Sequence, residues 1–384
     1  MATLTAHELT VGRKERHPLL IALRHLDYPL IGSAIALGLL GVVMVYSATR
    51  SQYGHYYMER QLVWMGLGVV IMFVCMLIDY SRFRQFGYPI YGLVVLSLAG
   101  VFVAGKSAND VNSLSQRWYQ LGALQLQPSE FACIGLIIAF ATYCSHRKGV
   151  LELRELCALL ALTAVPLILV YKQPDLGTTI IMTVTLSAML VAAGVRVRYL
   201  AVMGLLAVGT IFLVINLHLL DSYQLQRIQS FLHQNQATQG SNYDLTQSKE
   251  SISAGGVQGT GLFKGLATNL GFVPNQVDDF IFSAVGEQLG FAGAAAMLAL
   301  FGVITFRCLR AAQTARDPFG RLVCAGALAF IAFSVFENIG MTIGIMPITG
   351  IPLPFISYGG SADFAFFATV GLVANVEMRK QVRR

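Results

Sequence analysis

Gly255 to Gly290 reads GGVQGTGLFKGLATNLGFVPNQVDDFIFSAVGEQLG, and it closes the longest polar interval of an otherwise apolar chain. It ends by setting Asp278 and Asp279 directly against the apolar run Phe280-Ile281-Phe282. Two accounts fit charge at the lip of an apolar helix. Asp is favoured at an N-cap, where its charge suits the positive end of the helix dipole. Alternatively, ionisable groups at a membrane boundary mark a substrate path.

The composition decides which surroundings apply. With 55% hydrophobic and 12% charged residues over 384 positions, the chain has too little charge to cover a soluble surface. A mean hydropathy of +0.62 says the same. An all-α polytopic membrane protein is expected, built as a single membrane domain over residues 1–384. About ten spans of roughly 20 residues can be read. They lie near 28–48, 61–78, 86–105, 128–145, 155–171, 176–193, 199–219, 280–305, 320–344 and 361–378. One long extracytoplasmic loop, 220–279, separates spans 7 and 8. Most of the 27 lysines and arginines fall in segments that are cytosolic if the N-terminus is cytosolic. That orientation puts the 1–27 tail and the 379–384 C-terminus inside, in a plasma membrane. The net charge of +7 is then accounted for by topology and by attraction to anionic membrane lipid; no nucleic-acid partner is implied. The six cysteines lie within or on the cytosolic side of the spans, so no disulfide is expected. The first apolar run is of span length and reads as an uncut signal-anchor.

Outward from the central stretch, polar clusters recur at the outer edges of spans. Arg117-Trp118-Tyr119 is followed by Gln127-Pro128-Ser129-Glu130 as span 4 opens, with Pro128 suited to the first helical position and Glu130 to the first turn. Gln173-Pro174-Asp175-Leu176-Gly177-Thr178 forms a second cluster, in which Asp175 also fits an N-cap. In the long loop, Tyr223 to Leu232 has helical apolar spacing that suits an interfacial amphipathic helix, and 235–244 reads as a flexible polar segment. Gly255, Gly256, Gly259, Gly261 and Gly265 match neither the dinucleotide fingerprint nor the P-loop, and are expected to let backbone fold tightly at the membrane surface. Glu287 stands about 12 Å along the helix from Asp279 at 1.5 Å per residue, inside the membrane, and requires a polar cavity or a proton. Glu337-Asn338 in span 9 poses the same problem. The apolar loop 346–361, rich in Pro and Gly, survives at membrane depth only buried in protein or lining a cavity.

Taken together, these segments resemble the SEDS family (shape, elongation, division and sporulation). Those that carry the resemblance are Arg117-Trp118, Gln127-Pro128-Ser129-Glu130, Gln173 to Thr178, Gln247-Ser248-Lys249 with Gly255-Gly256, Asp279-Phe280-Ile281-Phe282 with Gly286-Glu287, and Asn338-Ile339-Gly340-Met341 with Pro352 to Ser361. They span nearly the whole chain in family order. Gln247-Ser248-Lys249 and Thr349 to Phe355 are more similar to the elongation branch (RodA) than to the division branch (FtsW). The resemblance implies a ten-span peptidoglycan glycosyltransferase that polymerises lipid II on the outer face. Its partners would be a class B penicillin-binding protein, a transpeptidase, and other cell-wall elongation proteins. It implies Asp279 as the catalytic residue; Arg117, Glu130, Asp175, Lys249, Lys264, Glu287 and Ser357 are read as substrate-binding candidates. A sugar hydroxyl attacking an anomeric carbon and expelling a lipid pyrophosphate needs one base and cationic charge. Arg117, Lys249, Lys264 and Arg227 are the candidate cations.

Departures from the family pattern are Cys133 where Lys is usual, Asp278 where Thr is usual, and charge at Glu250 and Asp363. Like-charge repulsion from Asp278 is expected to raise the pKa of Asp279. No organic cofactor is expected. A Mg²⁺ or Mn²⁺ held by Asp278, Asp279 and pyrophosphate oxygens would replace the charge lost at Cys133. A lipid II flippase and a non-catalytic scaffold are the competing readings, the first motivated by Glu287 and Glu337 inside the membrane. Small residues Ala292, Ala294, Ala295 and Ala296 make spans 8 and 9 the expected partner face.

Overall fold

The computed structural model describes residues 26–105, 117–121, 124–147, 151–216, 227, 231, 234 and 241–380. The N-terminal tail and most of the expected amphipathic segment at 223–232 lie outside the described residues. Every expected span is a helix. The first six are α1 (Tyr28–Tyr53), α2 (Tyr56–Leu77), a short α3 (Tyr80–Gln85), α4 (Gly87–Ala104), α5 (Pro128–Ser145) and α6 (Leu153–Lys172). They are followed by α7 (Leu176–Ala192) and α8 (Val197–Asn216), then α9 (Ser241–Gly255) and the short α10 (Leu266–Leu270). The last three are α11 (Ile281–Thr314), α12 (Pro318–Ile343) and α13 (Gly360–Arg379). Among the described residues, 7 helices are long and apolar enough to cross a membrane. Two more, α7 and α8, are shorter or apolar over a shorter run. The last, α13, carries Asp363, Asn375 and many small residues, and is buried along most of its length. A helix covered by its neighbours has no need of a uniformly apolar surface.

Three features go beyond the sequence reading. A two-stranded antiparallel hairpin, β1 (Tyr119–Leu121) and β2 (Leu124–Leu126), precedes α5. The segment read as flexible, 235–244, already contains the first turn of α9 from Ser241. That polar helix is held by packing on its neighbours, with Leu245 and Ser251 buried and the Ser248 hydroxyl donating to Thr342 O at 2.9 Å. Finally, α11 is not continuous. At Gly290 its backbone leaves helical geometry (φ 64°, ψ −164°).

The glycine-rich stretch fills that break. Phe291 N and Ala292 N donate to Gly256 O and Val257 O, both at 3.0 Å, and Thr260 N and Gly261 N donate to Glu287 O and Gln288 O at 2.9 and 3.1 Å. Helix bonds lost at the kink are thus replaced by bonds to the loop, as buried backbone requires. The approach is so close that a β-carbon on Gly259 (φ +80°) would sit 2.2 Å from Gln288 O, and one on Gly290 would sit 2.3 Å from Gly259 N.

The two ends of the bundle differ in how charge is handled. At one end carboxylates pair with cations: Asp27 with Arg307 at 2.7 Å, Asp79 with Arg379 at 3.4 Å and Asp317 with Arg84 at 3.8 Å. The other end carries Asp279 and the motif loops. There Tyr358 N donates to Val277 O at 3.0 Å, and Gln127 N donates to Ser361 Oγ, also at 3.0 Å. The hairpin, the Asp279 loop and the Pro-rich loop before α13 are thereby joined.

Candidate active site

Asp279 follows a turn in which left-handed Asn275 (φ 50°) offers one carbonyl to the amides of Asp278, Asp279 and Phe280. The capping account is not realised: α11 opens at Ile281 with Phe280 at its cap and no side-chain cap bond. Both carboxylates stand before the helix and serve no helical amide. Asp175, by contrast, does cap α7, accepting from Thr178 N at 3.1 Å and Thr178 Oγ1 at 3.0 Å. Its Oδ2 also accepts from Ser129 Oγ at 3.0 Å, which ties α7 to the first turn of α5, where Glu130 lies.

Four charged neighbours surround Asp279. Arg227, Arg117 and Asp175 act on its carboxylate, and it acts in turn on Glu130. Both cations are held by main-chain oxygens: Arg117 donates to Pro174 O at 2.5 Å and Arg227 to Thr349 O at 3.1 Å. The Arg117 Nε is buried without a partner among the described residues. Behind Asp279, Asn338 Nδ2 donates to its main-chain carbonyl at 2.8 Å. None of the described residues donates to the Asp279 carboxylate itself. Desolvation pushes its pKa up to about 6; Arg227 and Arg117 oppose the rise, while Asp175 adds to it.

Asp278 is different. Burial first, and the Asp279 charge second, push it up to about 7. Its charge acts on Tyr57 of α2 rather than on the arginines. The Asp279 charge thus adds to the rise at Asp278, and burial is the largest cause of the rise at Asp279. The pair addresses two different sides. Among the described residues no three His, Cys, Asp or Glu come together to hold a metal ion.

The other candidates disperse. Glu287, nearly fully buried, accepts from Ala267 N at 2.8 Å, Thr268 N at 3.0 Å and Thr268 Oγ1 at 2.5 Å. The polar surroundings it required are the loop after Gly265, so its carboxylate anchors that loop and has no open face toward a substrate. Ser357 is buried, its hydroxyl accepting from Leu353 N at 2.8 Å to close the Pro-rich loop. Lys249 donates to Gln234 Oε1 at 2.5 Å beside Gly344, and Lys264 is exposed on its turn. Neither is among the charges acting on Asp279. Asp363 is buried and accepts from Gln61 Nε2 at 2.9 Å. Cys133 is buried next to this cluster, with the Glu130 and Asp175 charges acting on it.

Known proteins match this chain over most of its length. A family model described as "Cell cycle protein", covering FtsW, RodA and SpoVE, matches residues 28–382. A probable peptidoglycan glycosyltransferase FtsW of Geobacter metallireducens is 34% identical, over 92% of this chain and 95% of its own. The peptidoglycan glycosyltransferase MrdB of Escherichia coli K12 is 32% identical, over 93% and 95%. Among solved structures, a chain of a peptidoglycan synthase complex described as coordinating polymerization and crosslinking superposes with a TM-score of 0.80 at 28% identity. It covers 93% of this chain and 98% of that one. The rod shape determining protein RodA of Thermus thermophilus superposes with a TM-score of 0.69 at 28% identity and the same coverage.

Proposed function

This chain belongs to the FtsW, RodA and SpoVE family and is a membrane peptidoglycan glycosyltransferase; from that premise we propose that it polymerises lipid II at the outer face of the plasma membrane with Asp279 as general base. The observation that carries the assignment is the setting of Asp279, a buried carboxylate that accepts no hydrogen bond from the described residues and is acted on by the Arg227 and Arg117 charges. It takes the proton of the acceptor sugar hydroxyl as that oxygen attacks the donor's anomeric carbon. The bond from that carbon to the lipid pyrophosphate breaks, and the leaving phosphate carries off the electron pair. Arg117 and Arg227, fixed in advance by carbonyl oxygens, meet the charge that develops there. A carboxyl with a pKa of about 6 is ionised at neutral pH yet basic enough to accept a proton in the transition state.

Both termini are then cytosolic, which puts the paired charges of Arg307, Arg84 and Arg379 inside and Asp279 outside. A class B penicillin-binding protein is the proposed partner, supported by the likeness to a synthase chain whose complex joins polymerization to crosslinking. Identity to the FtsW and MrdB relatives is nearly equal at 34% and 32%. The elongation role therefore rests on the segments Gln247-Ser248-Lys249 and Thr349 to Phe355. Against the flippase reading, Glu287 is engaged by the 267–268 amides; Glu337 accepts from Thr349 through Oε1, while its Oε2 is buried without a partner among the described residues. The test is purified protein with labelled lipid II, with and without the transpeptidase. Glycan polymer from the wild type and none from Asp279→Asn is the expected result. Polymer from both overturns the assignment of the base.

A further inference from the structure

Two adjacent polar side chains near the end of α12, Glu337 and Asn338, are each fully buried. Neither belongs to the chemistry just described, and both reach toward it. The single amide nitrogen of Asn338 donates to Asp279 O at 2.8 Å and to Ile351 O at 2.7 Å, so one side chain joins the main chain of the base to the loop opposite. Glu337 Oε1 accepts from Thr349 Oγ1 at 3.0 Å, which secures the same loop two residues earlier. That loop holds the cation: Arg227 donates to Thr349 O at 3.1 Å. Between the two tied residues, Gly350 lies against the base, and a β-carbon there would be 3.2 Å from Asp279 Oδ2.

We propose that Glu337 and Asn338 are a positioning pair that sets the distance between the Asp279 carboxylate and the Arg227 guanidinium by clasping residues 349–351 from within the membrane. The inference rests on Asp279 being the base and adds what holds that base in register with its cation. The geometry gives the pair its leverage. Loss of the amide leaves two carbonyl oxygens facing the same gap without their shared donor, at a cost typical of buried unsatisfied groups. The loop then moves away from Asp279 and carries the Arg227 anchor with it. The charged groups facing Asp279 are Arg227, Arg117, Asp175 at the start of α7, Glu130 in the first turn of α5, and its neighbour Asp278. Of these, only Arg227 hangs from the clasped loop by a bond seen here. Arg227 holds the Asp279 pKa down, so its withdrawal raises that pKa and removes the base at higher pH.

The experiment is the pH dependence of kcat/KM for lipid II polymerisation by full-length wild type, Asn338→Ala, Thr349→Val, Glu337→Ala and Glu337→Gln. In Asn338→Ala the acid limb should move up by roughly one pH unit, the lower end of what one close opposite charge contributes. Activity then falls about tenfold well below the wild-type limb and only about two- to threefold just above it, and recovers at alkaline pH. Thr349→Val should shift the limb the same way by less, and Glu337→Ala, which removes the acceptor for the Thr349 hydroxyl, should shift it as Thr349→Val does, with Glu337→Gln, which retains an acceptor oxygen, reversing most of that shift. If Asn338→Ala fails to fold in detergent, Thr349→Val carries the test, since it exchanges one hydroxyl for a methyl. An equal fractional loss at every pH, or an unmoved limb in folded Thr349→Val, overturns the proposal. Asp279→Asn run alongside separates the two levels. Activity in that variant removes the base assignment itself, whereas an inactive Asp279→Asn with unmoved limbs in the other variants removes only the clasp.

Discussion

At the level of single residues, the adjacent acids Asp278 and Asp279 differ in which side they face. Asp279 feels Arg227, Arg117 and Asp175; Asp278 acts on Tyr57. The pH profile should distinguish them. A group with its pKa near 6 is a base only above that value, so polymerisation should rise as pH passes through about 6 and be lost below it. A limb near 7 would point to Asp278 instead. Asp278→Thr should retain activity, with the limb unmoved or shifted slightly down, because it removes a like charge beside Asp279 while leaving Arg227 and Arg117 in place. Metal behaviour follows from the same geometry. Calorimetry with Mn²⁺ should show no tight binding to the protein alone, and binding only once a pyrophosphate-bearing lipid supplies further oxygens. Tight binding to the unliganded protein would mean that Asp278 and Asp279 turn toward a common ion.

Among the elements, the glycine-rich loop and the broken α11 form one unit. Its seal is tested by Gly259→Ala, which places a methyl within 2.2 Å of Gln288 O in a left-handed backbone. A loss of about 2 kcal/mol or more is expected from combined strain and displacement, read as a fall in the unfolding midpoint in detergent. Glu287→Gln should act on the same unit. It replaces a carboxylate that accepts three hydrogen bonds by an amide with one acceptor oxygen, at a cost of about 1–3 kcal/mol. Limited proteolysis should then cut first within 260–270. Asp279→Asn should leave the unfolding midpoint unchanged, and a midpoint loss there equal to that of Glu287→Gln would give Asp279 a structural role as well.

For the molecule as a whole, the outward surface of α11 is the face proposed to receive a second membrane helix. Ala292, Ala295 and Ala296 are exposed beside Phe291 and Leu298, while Ala294 is turned partly inward. Small residues permit close backbone approach between helices in lipid. Photo-crosslinkers at Ala295 and Ala296, and at exposed Phe336 on α12, should therefore capture the single-span transpeptidase. Capture only from the exposed faces of α2 and α4 would move the interface to the other side of the bundle.

The sequence by itself determined the class, the spans and the family. Apolar runs of membrane length must become helices because lipid offers their backbone no other partner, and a helix accompanies every run that was read. Motif order along nearly the whole chain was equally legible. The sequence also carried Asp279, Arg117, Glu130 and Asp175 as residues at one edge of the membrane, since topology alone sends their segments there. Tertiary contacts decided the rest. The kink at Gly290 could not be read from an apolar run, because a helix breaks there only when another loop supplies the missing hydrogen bonds. The partners of Glu287 in the 267–268 turn and of Glu337 Oε1 at Thr349 were equally hidden in the sequence. Arg227, one of four candidate cations, was singled out with Arg117 by proximity to Asp279, whereas Lys249 and Lys264 were directed elsewhere. Asn338 showed its use only when residues 279 and 351, far apart in sequence, were seen to share its amide. Local sequence sets where a charge can be; only long-range packing sets which charge it faces.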